Sequence, residues 1–259
     1  MFIILSPAKT LDFENPLPEL PERTAPRFLD ASAQLVERLR TQSADDLAAL
    51  MKVSDRIARL NVERFAQWQP DMAGDGARAA AFAFQGDVYG GLEIGAFDAA
   101  ALQRAQQRLR ILSGLYGLLR PLDRIRPYRL EMSTRLATAA GDNLYQFWGE
   151  RLTRQLDADM EAAHSNVLVD LASKEYSRAV DKRYLAATTV TPRFEDEKNG
   201  RYKVISFHAK KARGLMAAWI LQNNIADADG LAGFNVAGYQ YAADVSSPEQ
   251  PVFRRPEAA

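Results

Sequence analysis

The sequence predicts a mixed α/β fold, α+β-like because it sets antiparallel hairpins beside buried strands, organised as a single compact domain over residues 1–259. Three observations predict it. The apolar run Phe2–Leu5 is too short for a helix and reads as a buried strand, as does "NVLVDLAS" at 166–173. Segments of helical periodicity stand between these runs. In "TTVTPRFEDEKNGRYKVISFH" (188–208), two alternating runs flank Asn199–Gly200, a dipeptide that tolerates the positive φ of a tight hairpin. Such a hairpin argues against a simple doubly wound sheet. No Ser/Gly-rich or acidic tract divides the chain, and 47% hydrophobic residues can fill one substantial core.

After the first strand, the proline-rich "ENPLPELPERTAP" (14–26) predicts an extended surface segment. Helical periodicity runs from about Arg27 to Leu39. "SADDLAALM" (43–51) opens with Ser43 as N-cap and carries Asp45 and Asp46 where they complement the helix dipole. After the break at "KVS", "DRIARLNVERFAQW" begins a second helix capped by Ser54 or Asp55, which makes 43–68 a helix-hairpin-helix candidate. "ARAAAFAF" (77–84) suits strand or helix, and "QGDVYGGL" a strand-to-helix turn. "DAAALQRAQQRLRIL" (98–112) predicts one amphipathic helix, and residues 144–161 another. "KEYSRAV" predicts a short helix after the 166–173 strand, and "AKKARGLMAAWILQNN" (209–224) a longer one. "GYQYAAD" and "PVFRR" form a closing hairpin in this reading.

The absence of cysteine excludes disulfides, thiolate zinc sites, iron–sulfur clusters and a thiol nucleophile, and fits a cytoplasmic location. "MFIILSPAKT" lacks the basic start and long apolar run of a signal peptide. No apolar run approaches the roughly 20 residues that span a bilayer, so no membrane partner is expected. Glu161 and His164 make a single Glu-x-x-His, whereas a carboxylate di-iron bundle needs that motif twice with two further glutamates. Neither histidine has a serine elbow to serve. No metal site and no cofactor is predicted.

Charge is neutral overall, with 33 basic and 33 acidic side chains, but it is unevenly spread. From Arg104 to Arg135 there are eight arginines and two acids. Within that stretch "SGLYG" (113–117) offers Gly114 and Gly117, whose turn can leave backbone N–H groups free for an anion, with Arg110, Arg120 and Arg124 supplying charge-assisted phosphate contacts. The alternative is a glycine C-cap beside arginines on a solvated helix face. A second cluster, Arg201, Lys203, Lys210, Lys211 and Arg213, contains no acid and interleaves Tyr202 and His208, as single-strand or base-stacking sites do. A lysine-protected edge strand and helix start would look the same. The turn of the 43–68 pair carries Lys52, Ser54 and Arg56 and can present helix amides to a phosphate, although an ordinary helical hairpin is an equal reading. Lys9, in "ILSPAKTLD" just after the first strand, can meet an anion without the glycines of a Walker loop.

The motifs "SPAKTLD", "FQGDVYGGL", "LSGLYGLLRPLDRIRPYRLEM", "LYQFWGE", "LASKEY" and "ISFHAKKARGLM", in this order, closely resemble the YaaA family of bacterial peroxide stress proteins. The resemblance runs from Phe2 to about Tyr241. It implies protection against hydrogen peroxide by limiting the free iron that drives radical damage, DNA binding, and a fold of its own with a helix-hairpin-helix and a positively charged cleft. It names no reaction. By position, the helix-hairpin-helix falls on 43–68, and the cleft on the arginines around "SGLYG" and on "AKKAR".

Two functions follow as expectations. In the first, the protein binds double-stranded DNA, distorted or damaged duplexes included, without sequence preference, through Lys52, Arg56, Arg110, Arg120, Arg124, Lys210, Lys211 and Arg213. In the second, it is an enzyme acting on a nucleotide or nucleic-acid base, a small-molecule ligand among its partners, with Lys9, Asp87, Tyr128, Arg129 and Lys210 converging on one pocket. An iron-sequestering protein would need a gathered set of oxygen ligands, and no spacing in the sequence supplies one. The discriminating observation is whether Lys9, Asp87 and Lys210 share a concave pocket.

Overall fold

Residues 1–257 are described by a computed structural model. Phe2–Leu5 forms strand β1, buried at every position, at the centre of a five-stranded sheet. With β5 (Leu109–Ser113), β6 (Gly117–Leu119), β8 (Val167–Asp170) and β9 (Thr188–Val190), the order is β6-β5-β1-β8-β9. β1 is parallel to both neighbours, with Ile3 opposite Leu109 and Val169, and only β6 runs antiparallel. A central parallel strand is covered on both faces, which is why its residues are uniformly apolar.

The 98–112 segment departs from the expected single helix. Helix α6 (Ala99–Arg108) stops and Leu109–Ser113 becomes β5. Helix propensity there is a weak preference, and the ladder to β1 together with full burial outweighs it. The expected helix at 144–161 is likewise divided, into α7 (Leu144–Trp148) and α8 (Arg151–Ala162), because Gly149 takes φ +51° between them.

A second sheet has the order β11-β10-β13-β12, from β10 (Arg193–Lys198), β11 (Arg201–Lys203), β12 (Gln240–Tyr241) and β13 (Val252–Arg255). The Asn199–Gly200 turn joins β10 to β11 with φ of 55° and 71°, and β12 pairs antiparallel with β13, both as the sequence predicts. The parallel pairing of β10 with β13 has no local signal.

On the helical side, α1 (Leu29–Arg40) packs against α3 (Asp55–Gln67), which packs against α2 (Ala44–Met51). Ser43 caps α2 in a reciprocal capping box with Asp46, and Lys52 turns the chain in the left-handed region toward Ser54, the N-cap of α3. The ambiguous 77–84 stretch is both things in turn: β3 (Arg78–Ala79), α4 (Ala80–Ala83) and β4 (Phe84–Gln85). β3 pairs with β7 (Arg124–Ile125), and β4 with β2 (Thr10–Leu11). The Thr10–Gln85 pairing brings the loop after β1 beside α5 (Asp87–Leu92). Helix α9 (Lys174–Ser177) follows β8, and α10 (Ser206–Gln222) lies against α5. No helix among the described residues is long and apolar enough to cross a membrane.

Candidate functional site

β1 and β8 are adjacent and parallel, so their carboxyl ends open on the same edge of the sheet. Open α/β sheets bind ligands there. The two following loops are tied together: Ser6 Oγ accepts the Ser173 N–H at 2.8 Å and donates to Ser173 Oγ at 3.2 Å. Tyr89, from α5, donates its hydroxyl to the Ser6 carbonyl at 3.0 Å. Between these loops, α5, the segment 128–131 and the start of α10 lies a cavity of about 430 Å³, within the range of small-molecule sites.

Lys9, Asp87, Tyr128, Arg129 and Lys210 all line this one cavity, as does Arg213. Lys9 is exposed and its Nζ lies 3.3 Å from Glu131, which also accepts the Arg129 guanidinium at 2.7 Å. Tyr128 is buried, with its hydroxyl 2.6 Å from Ser113 Oγ. Burial pushes the phenols of Tyr89, Tyr128 and Tyr176 far above their ordinary range, so all three are neutral. With the Tyr89 and Tyr128 hydroxyls engaged elsewhere, those rings offer the cavity apolar surface. Glu175 accepts the Ser133 N–H at 2.9 Å. By contrast the Asp87 carboxylate, the Lys210 ammonium and the Arg213 guanidinium have no hydrogen-bond or ion-pair partner among the described residues.

The electrostatics around Arg213 come from its neighbour Asp170, at the end of β8. Burial pushes the Arg213 pKa down, and the Asp170 charge opposes this only in part. Asp170 is itself buried and already accepts from the Ala172 N–H at 3.1 Å, the Ser177 hydroxyl at 2.5 Å and Lys182 Nζ at 2.7 Å.

The other residues that the sequence nominates for phosphate contact divide into two groups. Lys52, Ser54 and Arg56 are exposed at the α2–α3 turn, and Lys211 is exposed on α10; the three cations have no ion-pair partner among the described residues. The arginines around "SGLYG" are used inside the molecule instead. Arg110 is buried, with Nε 2.6 Å from Asp159 and Nη1 donating to the Gln106 and Leu109 carbonyls. Arg120 holds Asp123 at 2.8 Å and donates to the Ala25 carbonyl. Arg124 donates to the carbonyls of Ala73, Gly74 and Ala77. Gly114 and Gly117 sit in a packed turn between β5 and β6. A Cβ on Gly114 would reach 3.0 Å from the Leu130 carbonyl carbon, and one on Gly117, at φ +72°, 2.8 Å from the Trp148 ring. Arg110 is thus spent on a buried carboxylate, Gly114 and Gly117 on close packing, and Arg120 and Arg124 on a buried carboxylate and loop carbonyls.

Sequence reasoning missed Ser6, Ser173, Glu131, Glu175, Tyr89 and Tyr176 as cavity residues. Their signal was present in "SPAK" and "SKEY", which follow the two buried strands, but only if those strands are neighbours. Among the described residues no group of three or more histidine, aspartate or glutamate side chains is arranged to hold a metal ion.

Residues 1–245 match the family model described as peroxide stress protein YaaA. Relatives named UPF0246 protein align over nearly the whole length of both chains. Those from Alcanivorax borkumensis and Cellvibrio japonicus are 54% and 51% identical over 99% of this chain and 99% of their own. The one from Shewanella piezotolerans is 52% identical over 99% of this chain and 100% of its own. At that identity and coverage, the chain belongs to the YaaA family of peroxide stress proteins.

Proposed function

We propose that the protein fulfils its family's role in peroxide stress as a cytoplasmic enzyme acting on a nucleotide or nucleic-acid base held in the cavity at the carboxyl edge of the parallel sheet. One observation carries this reading: Lys9, Asp87, Tyr128, Arg129 and Lys210, spread over more than 200 residues of sequence, line a single cavity. In the proposal Asp87, whose carboxylate oxygens have no partner among the described residues, accepts a proton or a hydrogen bond from the substrate. Lys9 and Arg129, held by the shared Glu131, stabilise negative charge developing at the cavity mouth. The tyrosine rings supply the apolar surface a base requires.

A second reading is non-sequence-specific DNA binding that helps limit iron-driven damage. The exposed, unpaired Lys52, Arg56 and Lys211 favour it, because free surface cations are what phosphate contact needs. The two readings are compatible if the grip on DNA delivers a base to the cavity.

Lys9→Ala separates them. Lys9 is a surface cation whose single pair contributes at most about 1 kcal/mol, so the variant folds. The enzyme reading expects loss of peroxide resistance with unchanged melting temperature and DNA affinity. Full resistance in a folded Lys9→Ala protein would remove Lys9 from any catalytic role. Mass spectrometry of small molecules released from purified protein identifies the ligand class.

A further inference from the structure

Arg213 is set apart from the arginines of the 104–129 stretch. Arg104, Arg108, Arg110, Arg120, Arg124, Arg126 and Arg129 each donate to a carbonyl or carboxylate, whereas Arg213, half-buried, donates to nothing among the described residues. Withdrawing a guanidinium from water without a partner costs free energy. Where such a group lines a cavity a ligand can complete it, and sites of this kind are commonly held at some expense in stability.

The surrounding carboxylates cannot complete it. Asp170 is taken by Lys182 and Ser177, Glu131 by Lys9 and Arg129, and Glu175 by the Ser133 amide. That leaves Asp87, which forms no ion pair with Arg213 although both line the cavity. Lys210 lies three residues before Arg213 on α10, on the same helix face, and is also unpaired. Among the described residues the cavity thus has unpaired cations on α10 and an unpaired carboxylate on α5, with Tyr89, Tyr128 and Tyr176 also in its lining. Asp87 disfavours an anion beside it, and Lys9 and Arg129 already share Glu131, which leaves Lys210 and Arg213 as the cavity cations with charge to spare for an anionic ligand.

We propose that Arg213 and Lys210 receive the phosphate of a nucleoside monophosphate, with the base directed toward Asp87 and the tyrosine rings. This rests on the reading of the cavity as a nucleotide or base site and adds to it that the ligand is recognised through its phosphate. A guanidinium matches two phosphate oxygens at once, and the neighbouring ammonium adds a point charge.

The test is isothermal titration calorimetry of the full chain with the four ribonucleoside 5′-monophosphates and the four corresponding nucleosides, followed by the Arg213→Met and Lys210→Met variants. At least one monophosphate binds at least about tenfold more tightly than its nucleoside, and Arg213→Met removes that difference. Because Arg213 has no partner to lose among the described residues, Arg213→Met keeps or raises the urea midpoint, so lost binding is not lost folding. Equal binding of nucleoside and monophosphate, or a phosphate preference that survives in Arg213→Met, overturns this assignment and leaves the cavity reading intact. Failure of every nucleoside and every monophosphate to bind overturns both.

Discussion

Gly91 and Gly214 meet backbone to backbone where α5 crosses α10. A Cβ on Gly91 would lie 3.2 Å from Gly214 Cα and 2.9 Å from Leu215 N, and one on Gly214 would lie 2.7 Å from Leu92 N and closer still to the Val88 carbonyl. The helices touch more closely than any other residue pair would allow. Asp87 is the first residue of α5, and Lys210 and Arg213 lie in the first half of α10. The glycine contact therefore sets the spacing of the cavity's unpaired charges.

Gly214→Ala should accordingly force the helices apart and destabilise the protein by about 1–3 kcal/mol, the usual cost of overpacking. Gly90→Ala is the matched control, since a Cβ there meets nothing within 4 Å. It should be neutral or stabilising by up to about 1 kcal/mol through helix propensity. Urea unfolding midpoints of the two variants decide the point, and equal midpoints would mean that the crossing is not tight.

Arg110 should behave as a structural residue. Its guanidinium and that of Arg27 share Asp159, and Arg110→Ala leaves that carboxylate with one cation fewer in a buried setting. Breaking a buried pair in this way costs about 3–5 kcal/mol. A well-folded Arg110→Ala protein with weakened DNA binding would contradict the internal role.

Any DNA affinity should depend on salt through the exposed cations alone. Lys211→Ala should lessen the slope of log K against log salt by about 0.9, the value for one phosphate contact. Arg124→Ala should leave the slope unchanged, because its donors are spent on the carbonyls of Ala73, Gly74 and Ala77. Filter binding across a salt series measures both slopes.

Acid should weaken the anchor between the loop after β2 and β3. The Asn15 and Glu14 backbone amides and the Asn15 side chain donate to Asp12, and Arg78 lies 3.4 Å away, so the carboxyl is held down at about 2. In an unfolded chain it titrates near 4, so in the window between these values the unfolded state binds more protons. Asp12 thus contributes stability above about pH 4 that is lost as the pH falls toward 2. The carboxyl chemical shift followed by NMR should give a midpoint near 2, and Asp12→Asn should flatten that part of the stability profile.

The sequence by itself determined what is written in neighbouring residues. Ser43 with Asp46 starts a helix through hydrogen bonds spanning three positions, Asn199–Gly200 turns a hairpin through its own torsions, and Phe2–Leu5 is apolar enough to be a buried strand in any setting. The family motifs are local in the same sense. Tertiary structure alone decided the strand order that sets "SPAK" beside "SKEY", and the conversion of Leu109–Ser113 from the end of a helix to a strand beside β1. It also decided the fate of each arginine. Arg110 and Arg213 are the same residue type in equally basic stretches, yet one is neutralised by Asp159, 49 positions away, and the other is left unpaired in a cavity. A guanidinium's role depends on which oxygen atoms reach it, and those come from segments that only the folded chain brings together.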